Sequence, residues 1–172
     1  MKFLAVSDSH GDREILKDLI EKYKGKVDGF FHCGDSELEA SDSVWDIMHT
    51  VQGNMDFDSN LPLSQIVDIG EYRILMIHGH HHQVKMTMEP LLTAAKEAKA
   101  DFALFGHSHE LRVEMQDNIL LLNPGSILLP RGQYPTPTYA IVEANQGKIT
   151  VTYYNRNFEK ASNLQATFHW RK

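Results

Sequence analysis

Five short motifs place metal-binding side chains in turns, each directly after a stretch that reads as a β-strand. Together they supply two aspartates, one asparagine and four histidines. Oxygen and nitrogen donors of this kind suit divalent transition metals. Two such cations can activate water and stabilise a hydrolytic transition state, so the set predicts a hydrolytic dinuclear metal centre. The motifs are Asp8-Ser9-His10, Gly34-Asp35, Gly53-Asn54, His78-Gly79 and Gly106-His107-Ser108-His109.

The spacing within two motifs favours shared ligation of one cation. In an extended chain residues i and i+2 point the same way, so Asp8 and His10 can converge, and His107 and His109 likewise. Taken singly, an aspartate in such a turn is explained equally well as a helix cap or turn residue. Two histidines directly after a buried strand are harder to explain without a ligand, because burying polar groups is unfavourable.

The elements that must position these motifs alternate between strand and helix in the first third and become mostly β in the last. Asp12 is placed to cap the first helix, and Pro90 must sit in the first turn of the last. Strands are predicted over 2–7, 27–32, 49–52, 65–69, 72–78, 101–105, 111–115, 119–122, 139–143 and 148–154. Helices are predicted over 11–24, 37–46 and 87–100.

This order of elements predicts an α/β (α+β) fold in one domain spanning 1–172. The βα units feed one sheet and the hairpins feed a second, so two packed sheets flanked by helices are expected. We place the core in 1–155 and treat 156–172 as a C-terminal extension. Its apolar residues could pack on their own domain or on a neighbouring molecule.

Composition limits the possible classes of function. The net charge of −6 argues against a non-specific nucleic-acid binder, which needs a basic surface. The one cysteine, Cys33, excludes an intramolecular disulfide and a cysteine-rich zinc site. No apolar stretch approaches the roughly 20 residues of a membrane-spanning helix, and the first strand is too short for a signal-peptide core. We therefore expect a cytoplasmic protein that does not contact the membrane.

The order Asp-x-His, Gly-Asp, Gly-Asn-x-Asp, His-Gly and Gly-His-x-His resembles the calcineurin-like metallophosphoesterase superfamily. Two further segments, Asn123-Pro124-Gly125-Ser126 and Pro130-Arg131, resemble its small prokaryotic phosphodiesterase branch (YfcE-like). The likeness covers essentially residues 1–155. It implies a four-layer fold, a two-sheet β-sandwich flanked by α-helices, which agrees with the reading of the elements.

The resemblance also implies a ligand set and a reaction. Asp35 would bridge two divalent cations, and a hydroxide held between them would attack a small phosphodiester. Manganese is expected first, with iron, zinc, nickel and cobalt as alternatives. One cation would be held by Asp8, His10, Asp35 and His109, and the other by Asp35, Asn54, His78 and His107.

Three further positions bear on catalysis under this resemblance. Many larger relatives carry a histidine after the asparagine that protonates the leaving group, where this chain has Met55, so substrates with acidic leaving groups are expected. Asp56 would position a neighbouring group. His80 would contact substrate phosphate or support a ligand, whereas His81 and His82 read as exposed loop.

Other interpretations remain open at this stage. The fold also serves as a protein-binding scaffold in the eukaryotic retromer subunit, and as nucleases that act on nucleic-acid ends. Complete ligand positions argue against the first, and short length with negative charge argues against the second. Arg131 could reach a phosphate or lie on the surface. Relatives often form assemblies, which favours a homo-oligomer, either a dimer or a tetramer.

Overall fold

Strand and helix alternate at first and β-hairpins follow, as the sequence predicts. The computed structural model describes residues 1–170, and Arg171 and Lys172 of the predicted C-terminal extension lie outside the described residues. The strands are β1 (Lys2–Val6), β2 (Gly29–His32), β3 (Met48–Thr50), β4 (Ser64–Ile69), β5 (Tyr72–Ile77), β6 (Phe102–Leu104), β7 (Arg112–Gln116), β8 (Ile119–Asn123), β9 (Thr138–Asn145), β10 (Lys148–Asn155) and β11 (Lys160–His169). The helices are α1 (Arg13–Tyr23), α2 (Glu89–Glu97) and a 3₁₀ helix at Ser43–Asp46.

Two mixed sheets are formed within residues 1–170. The first sheet has the order β11-β10-β9-β1-β2-β3, and the second has the order β4-β5-β6-β8-β7. β1, β2 and β3 run parallel, as do β5, β6 and β8. Parallel strands end at the same edge of a sheet. The turns that carry the predicted ligands therefore gather at one edge of each sheet.

Alternating side chains on each strand build the layers. On β1, Phe3 packs between the two sheets and Leu4 faces α1 on the outside. On β5, Ile74 lies between the sheets and Leu75 packs with α2 residues on the other outer face. Helix, sheet, sheet and helix thus form four layers, which confirms the predicted fold class. Within residues 1–170, no helix has the length and apolar character that a membrane crossing requires.

The predicted helix over 37–46 is wrong, and most of that segment is a loop. Glu37 adopts a left-handed conformation, with φ of 56°, which stops a helix from starting there. The carboxylates of Asp56 and Asp58 then accept the backbone N–H groups of Glu37 at 2.6 Å and Ala40 at 2.8 Å. These long-range bonds stabilise a loop up to the start of the 3₁₀ helix. The local periodicity of the sequence gives no sign of them.

The C-terminal extension packs on its own domain. β11 pairs antiparallel with β10 and so becomes the edge strand of the first sheet. Beyond it, Trp170 is buried against the core, and its indole N–H donates to the carbonyl of Asn118 at 3.1 Å. Of the two positions left open by the sequence, the structure shows the intramolecular one.

Candidate metal centre

The predicted ligands lie in tight turns just beyond the strand ends, and five of them have left-handed backbone conformations. The φ values are 53° for Asp8, 42° for His10, 55° for Asp35, 66° for His107 and 61° for His109. The extended-chain argument for their convergence is therefore wrong in its geometry, although the side chains do meet. Non-glycine residues in this region are strained, and such strain concentrates at functional sites.

A first group of side chains meets where the ends of β1, β2 and β6 approach. Ligand atoms of Asp8, His10, Asp35 and His109 all lie within 4.8 Å of one another. His109 Nε2 is 3.1 Å from Asp8 Oδ1 and 3.2 Å from His10 Nε2. These four residues are the set that the resemblance implies for one cation.

Hydrogen bonds orient the rings of this group. His109 Nδ1 lies 2.8 Å from the carbonyl oxygen of Leu129, which can only accept, so Nδ1 donates. His10 Nδ1 is likewise 2.7 Å from a carboxylate oxygen of Glu37. In a neutral ring the Nε2 lone pair then points into the group. Ligating histidines are commonly oriented in this way by a carbonyl or carboxylate.

A second group forms around His78 at the end of β5. Its Nε2 is 3.2 Å from Asp35 Oδ2 and 3.1 Å from Asn54 Oδ1. Its Nδ1 donates to the carbonyl of Cys33 at 2.8 Å, so Nε2 again faces the ligands. The His107 ring lies beside it, 5.2 Å away between centroids. Asp35 is common to both groups.

In the second group, burial and the attraction between charged side chains shift the pKa values of His78 and Asp35 in opposite directions. Burial acts to lower the pKa of His78, but the carboxylates of Asp35 and Asp8 outweigh it and raise that pKa. Burial acts to raise the pKa of Asp35, and His78 outweighs it and lowers that pKa. Burial and His78 together lower the pKa of His107 to about 4. The Asp35 carboxylate and a neutral His107 imidazole are therefore available at ordinary pH.

The donor set fits divalent transition metals. Among residues 1–170, Asp8 Oδ1 is a buried oxygen without a hydrogen-bond partner, because Ser7 and the N–H of His107 bind Oδ2 instead. Oδ1 and the Nε2 atoms of His10 and His109 are acceptors that face one another. A cation at their centre would relieve that repulsion, and oxygen with imidazole donors suits Mn, Fe, Co, Ni and Zn.

Asp56 holds two of the motifs together and does not enter the ligand groups. Its buried carboxylate accepts the backbone N–H groups of Asp35 at 2.8 Å, Gly53 at 2.7 Å and Glu37 at 2.6 Å. The hydroxyl of Ser36 adds a fourth bond at 3.1 Å. The predicted positioning role thus has a physical basis, since Asp56 fixes the turn that presents Asp35.

Both ligand groups line an open cleft of about 350 Å³. Part of its wall is made by ligands, and part by residues from four loops. The non-ligand residues of the wall are Glu37, Met55, Lys85, Leu129 and Arg131. Met55 therefore stands at the cleft, and Arg131 lies at the site rather than on a remote surface.

The run of three histidines after β5 turns away from this cleft. The His80 ring lies 5.4 Å from His78 and 6.1 Å from His107 between centroids. It lines a neighbouring groove together with Leu63 and Ile66. His81 is exposed, and its ring centroid lies 3.9 Å from that of His80 with the two rings tilted, while His82 is half-buried. This position fits His80 as a neighbour of the ligands better than as a contact for phosphate.

Two residues near the ligands were missed from the sequence. Glu37 orients His10 through the hydrogen bond described above. The sequence feature that could have indicated this role is a carboxylate two positions after Asp35. His32 is fully buried, its Nδ1 accepts the N–H of Gly34 at 3.1 Å, and its Nε2 lies 2.9 Å from Ser9 Oγ. Burial lowers its pKa to about 4, so a neutral ring joins the first two motifs. The sequence feature that could have indicated the role of His32 is a polar residue at the end of an apolar strand.

Replacing Gly106 by alanine is expected to lower affinity for Mn²⁺ by more than tenfold. A β-carbon there would collide with the hydroxyl of Ser7 and lie 2.6 Å from Asp8 Oδ2, which forces the carboxylate out of place. Calorimetric titration of the metal-free protein measures the affinity. Gly70→Ala is the control, because a β-carbon at Gly70 meets no atom within 4 Å and the backbone strain from its φ of 60° is confined to a turn away from the ligands. Equal affinities in both variants would contradict the expectation.

Sequence comparisons place the chain in a family. The family model described as "Calcineurin-like phosphoesterase superfamily domain" matches residues 1–147. The chain is 37% identical over 165 residues to YsnB of Bacillus subtilis (strain 168), which is described as a probable metallophosphoesterase. That alignment covers 96% of this chain and 97% of YsnB.

Solved structures agree with this assignment. A crystal structure from Streptococcus pneumoniae TIGR4, described as a predicted phosphoesterase, superposes with a TM-score of 0.95 at 36% identity and covers 98% of this chain and 97% of that one. The Escherichia coli phosphoesterase YfcE gives a TM-score of 0.65 at 16% identity, covering 99% and 100%. Vps29 of Chaetomium thermophilum gives 0.75 at 20%, covering 99% and 100%. The last two show a shared fold only. The predicted resemblance is confirmed, and the chain belongs to the calcineurin-like phosphoesterase superfamily.

Proposed function

We propose that this protein is a metal-dependent phosphodiesterase with a dinuclear centre. The observation that carries the proposal is the convergence of two ligand groups on Asp35. Asp8, His10 and His109 lie on one side of it, and His78 with Asn54 lies on the other. His107 completes the second group in this proposal. Manganese is the first metal to test, with iron, zinc, nickel and cobalt after it.

The chain's own residues would orient the centre and the substrate. When bound, a pair of divalent cations lowers the pKa of water and polarises phosphoryl oxygens. Asp35 would bridge them, and its Oδ1 is already fixed by the N–H of Met55 at 2.8 Å. Asn54 supplies a neutral oxygen, which limits the negative charge of the site. The open cleft admits a small diester, and the net charge of −6 does not suit a nucleic-acid chain.

Leaving-group chemistry should set the preference among substrates. At the position where larger relatives carry a histidine, Met55 lines the cleft and cannot donate a proton. A leaving oxygen would therefore depart unprotonated, which favours acidic phenols over alcohols. We expect bis-p-nitrophenyl phosphate to be hydrolysed at least about tenfold faster than a simple alkyl monoester, since a tenfold ratio needs only about 1.4 kcal/mol.

The test compares metal-stripped protein with and without added Mn²⁺, using bis-p-nitrophenyl phosphate and p-nitrophenyl phosphate. Manganese-dependent hydrolysis of the diester supports the proposal. Folded protein that is inactive with every divalent metal would refute it. Alkyl monoesters cleaved as fast as aryl diesters would refute the leaving-group argument alone. Two further expectations are tested separately. Measurement of molecular mass by chromatography shows whether the protein forms a homo-oligomer, and cell fractionation shows whether it is cytoplasmic.

A binding scaffold is the second candidate, and one surface favours it. Phe57 is 88% exposed, Leu63 57% and Ile66 51%, all close to the ligand loops. Exposed apolar groups of this kind mark interaction sites when they are contiguous. Vps29, which shares the fold, is the relevant comparison. A scaffold would bind its partner equally well after chelation of metal, whereas a metallophosphodiesterase would lose its activity.

A further inference from the structure

A second pocket adjoins the metal cleft and shares part of its wall. It has a volume of about 320 Å³ and is lined by residues of three neighbouring segments. Lys85 and Arg131 line both this pocket and the cleft. The two cavities are therefore adjacent, and a ligand that fills both would pass between these two cations.

The charges of this shared wall are not neutralised within the protein. Within residues 1–170, Arg131 is the one arginine without a carboxylate partner. Its counterparts contact acidic groups at Arg13–Asp42, Arg73–Asp68, Arg112–Glu114 and Arg156–Asp12. Lys85 also forms no ion pair with any described residue. Both side chains are exposed, so their charges are accessible to a ligand in the cavities that they line.

The position of Arg131 relative to the centre is fixed by its backbone. Its N–H donates to the carbonyl of His109 at 3.0 Å, so the loop is bonded to the turn of a proposed metal ligand. Glu110 is the one acidic residue of the pocket wall, and it lies against Gly132 in the same loop. Its single negative charge is smaller than the two unpaired positive charges of Lys85 and Arg131, so the pocket wall remains positive.

We propose that this pocket binds a second anionic group of the substrate, a phosphate or a carboxylate, while the phosphodiester occupies the metal cleft. The inference rests on the proposed phosphodiesterase activity and names its substrate class as diesters with an additional anion a few bonds from the scissile phosphate. Arg131 can grip such a group through two parallel N–H donors, and Lys85 supplies a point charge.

The first test compares diesters that share a p-nitrophenyl leaving group. The second ester group is ethyl, 2-phosphoethyl or 2-carboxyethyl, and the last two distinguish a phosphate from a carboxylate. Relative to the ethyl diester, we expect at least about a tenfold higher kcat/KM for a diester whose second ester group carries a further anion. The gain should come from a lower KM, as for a charge-assisted bidentate contact. Arg131→Leu and Lys85→Met should each reduce this ratio severalfold. Arg73→Leu, an arginine remote from the cleft, should leave the ratio unchanged.

The second test needs no catalysis. Inorganic phosphate is titrated into ¹⁵N-labelled, metal-free protein, and amide shifts are mapped. We expect shifts at 84–85, 110–112 and 131, which Arg131→Leu abolishes. An active enzyme that treats the three diesters alike overturns the pocket but not the phosphodiesterase. Protein without diesterase activity refutes the proposed function, and phosphate shifts that are absent or scattered over other surface lysines then overturn the pocket independently.

Discussion

Replacing Asp35 by asparagine is expected to lower kcat for manganese-dependent diester hydrolysis by about 10³-fold, because both cations would lose their common charged ligand. The variant keeps an oxygen that can accept the N–H of Met55. The second oxygen, which lies 3.2 Å from His78 Nε2, becomes an amide NH2 group that donates and cannot bind a cation. The overall fold should survive, since the side-chain volume hardly changes.

The measurement is steady-state hydrolysis of bis-p-nitrophenyl phosphate at saturating Mn²⁺, with bound metal counted per chain. Asp68→Asn is the matched control, because Asp68 is an exposed carboxylate paired with Arg73 away from the cleft. Its rate should stay within about twofold of wild type, as for surface substitutions in general. If Asp35→Asn keeps more than a tenth of the activity, a bridging role for Asp35 is wrong.

Replacing Asp56 by alanine is expected to lower the free energy of unfolding by about 3–5 kcal/mol, because four hydrogen-bond donors lose a buried charged acceptor together. Three of the donors are backbone N–H groups, of Asp35, Glu37 and Gly53. Their turns present Asp35, the proposed bridging ligand, so affinity for metal should fall as well. Asp56 thus illustrates a residue whose loss would abolish activity without any contact with substrate.

Urea denaturation of the metal-free protein measures the stability change without the contribution of bound cations. Asp58→Ala is the control in the same loop. Asp58 is less buried, and it accepts the N–H groups of Ala40 at 2.8 Å and Asn60 at 2.9 Å. We expect that substitution to cost about 1 kcal/mol, as for a typical partly exposed hydrogen bond. If the two variants lost the same free energy of unfolding, the proposed role of Asp56 in fixing these turns would be wrong.

The fold was predictable because its signals are local or periodic. Buried strands such as Phe102–Leu104 read as apolar runs, and the hairpin between β9 and β10 was marked by Gln146-Gly147. The helix predicted over 37–46 failed because long-range bonds from Asp56 and Asp58 override local propensity. The pairing of β11 with β10 is a local hairpin. Leu164, Ala166 and Phe168 alternate with exposed residues along β11, so the sequence held a period-two signal that was missed.

The site was predictable in its residue types but not in its backbone geometry. Aspartate, asparagine and histidine tolerate left-handed turns better than most residues, so their occurrence after strands carried real information. Nothing local showed that His78 would meet Asn54, which depends on how the two sheets pack. The supporting contacts of Glu37 and His32, and the unpaired state of Arg131, are likewise tertiary facts.

The two ligand groups draw their members from both sheets. Asp8, His10, Asp35 and Asn54 follow strands of the first sheet, whereas His78, His107 and His109 follow strands of the second. His10 and His109 lie 99 positions apart in the chain. Bound cations would therefore cross-link the halves of the sandwich and close a long loop. A disulfide has this effect in other proteins but cannot form within this chain, which has one cysteine. Melting temperature would then report occupancy of the centre, so candidate metals could be ranked by thermal shift before any substrate is known.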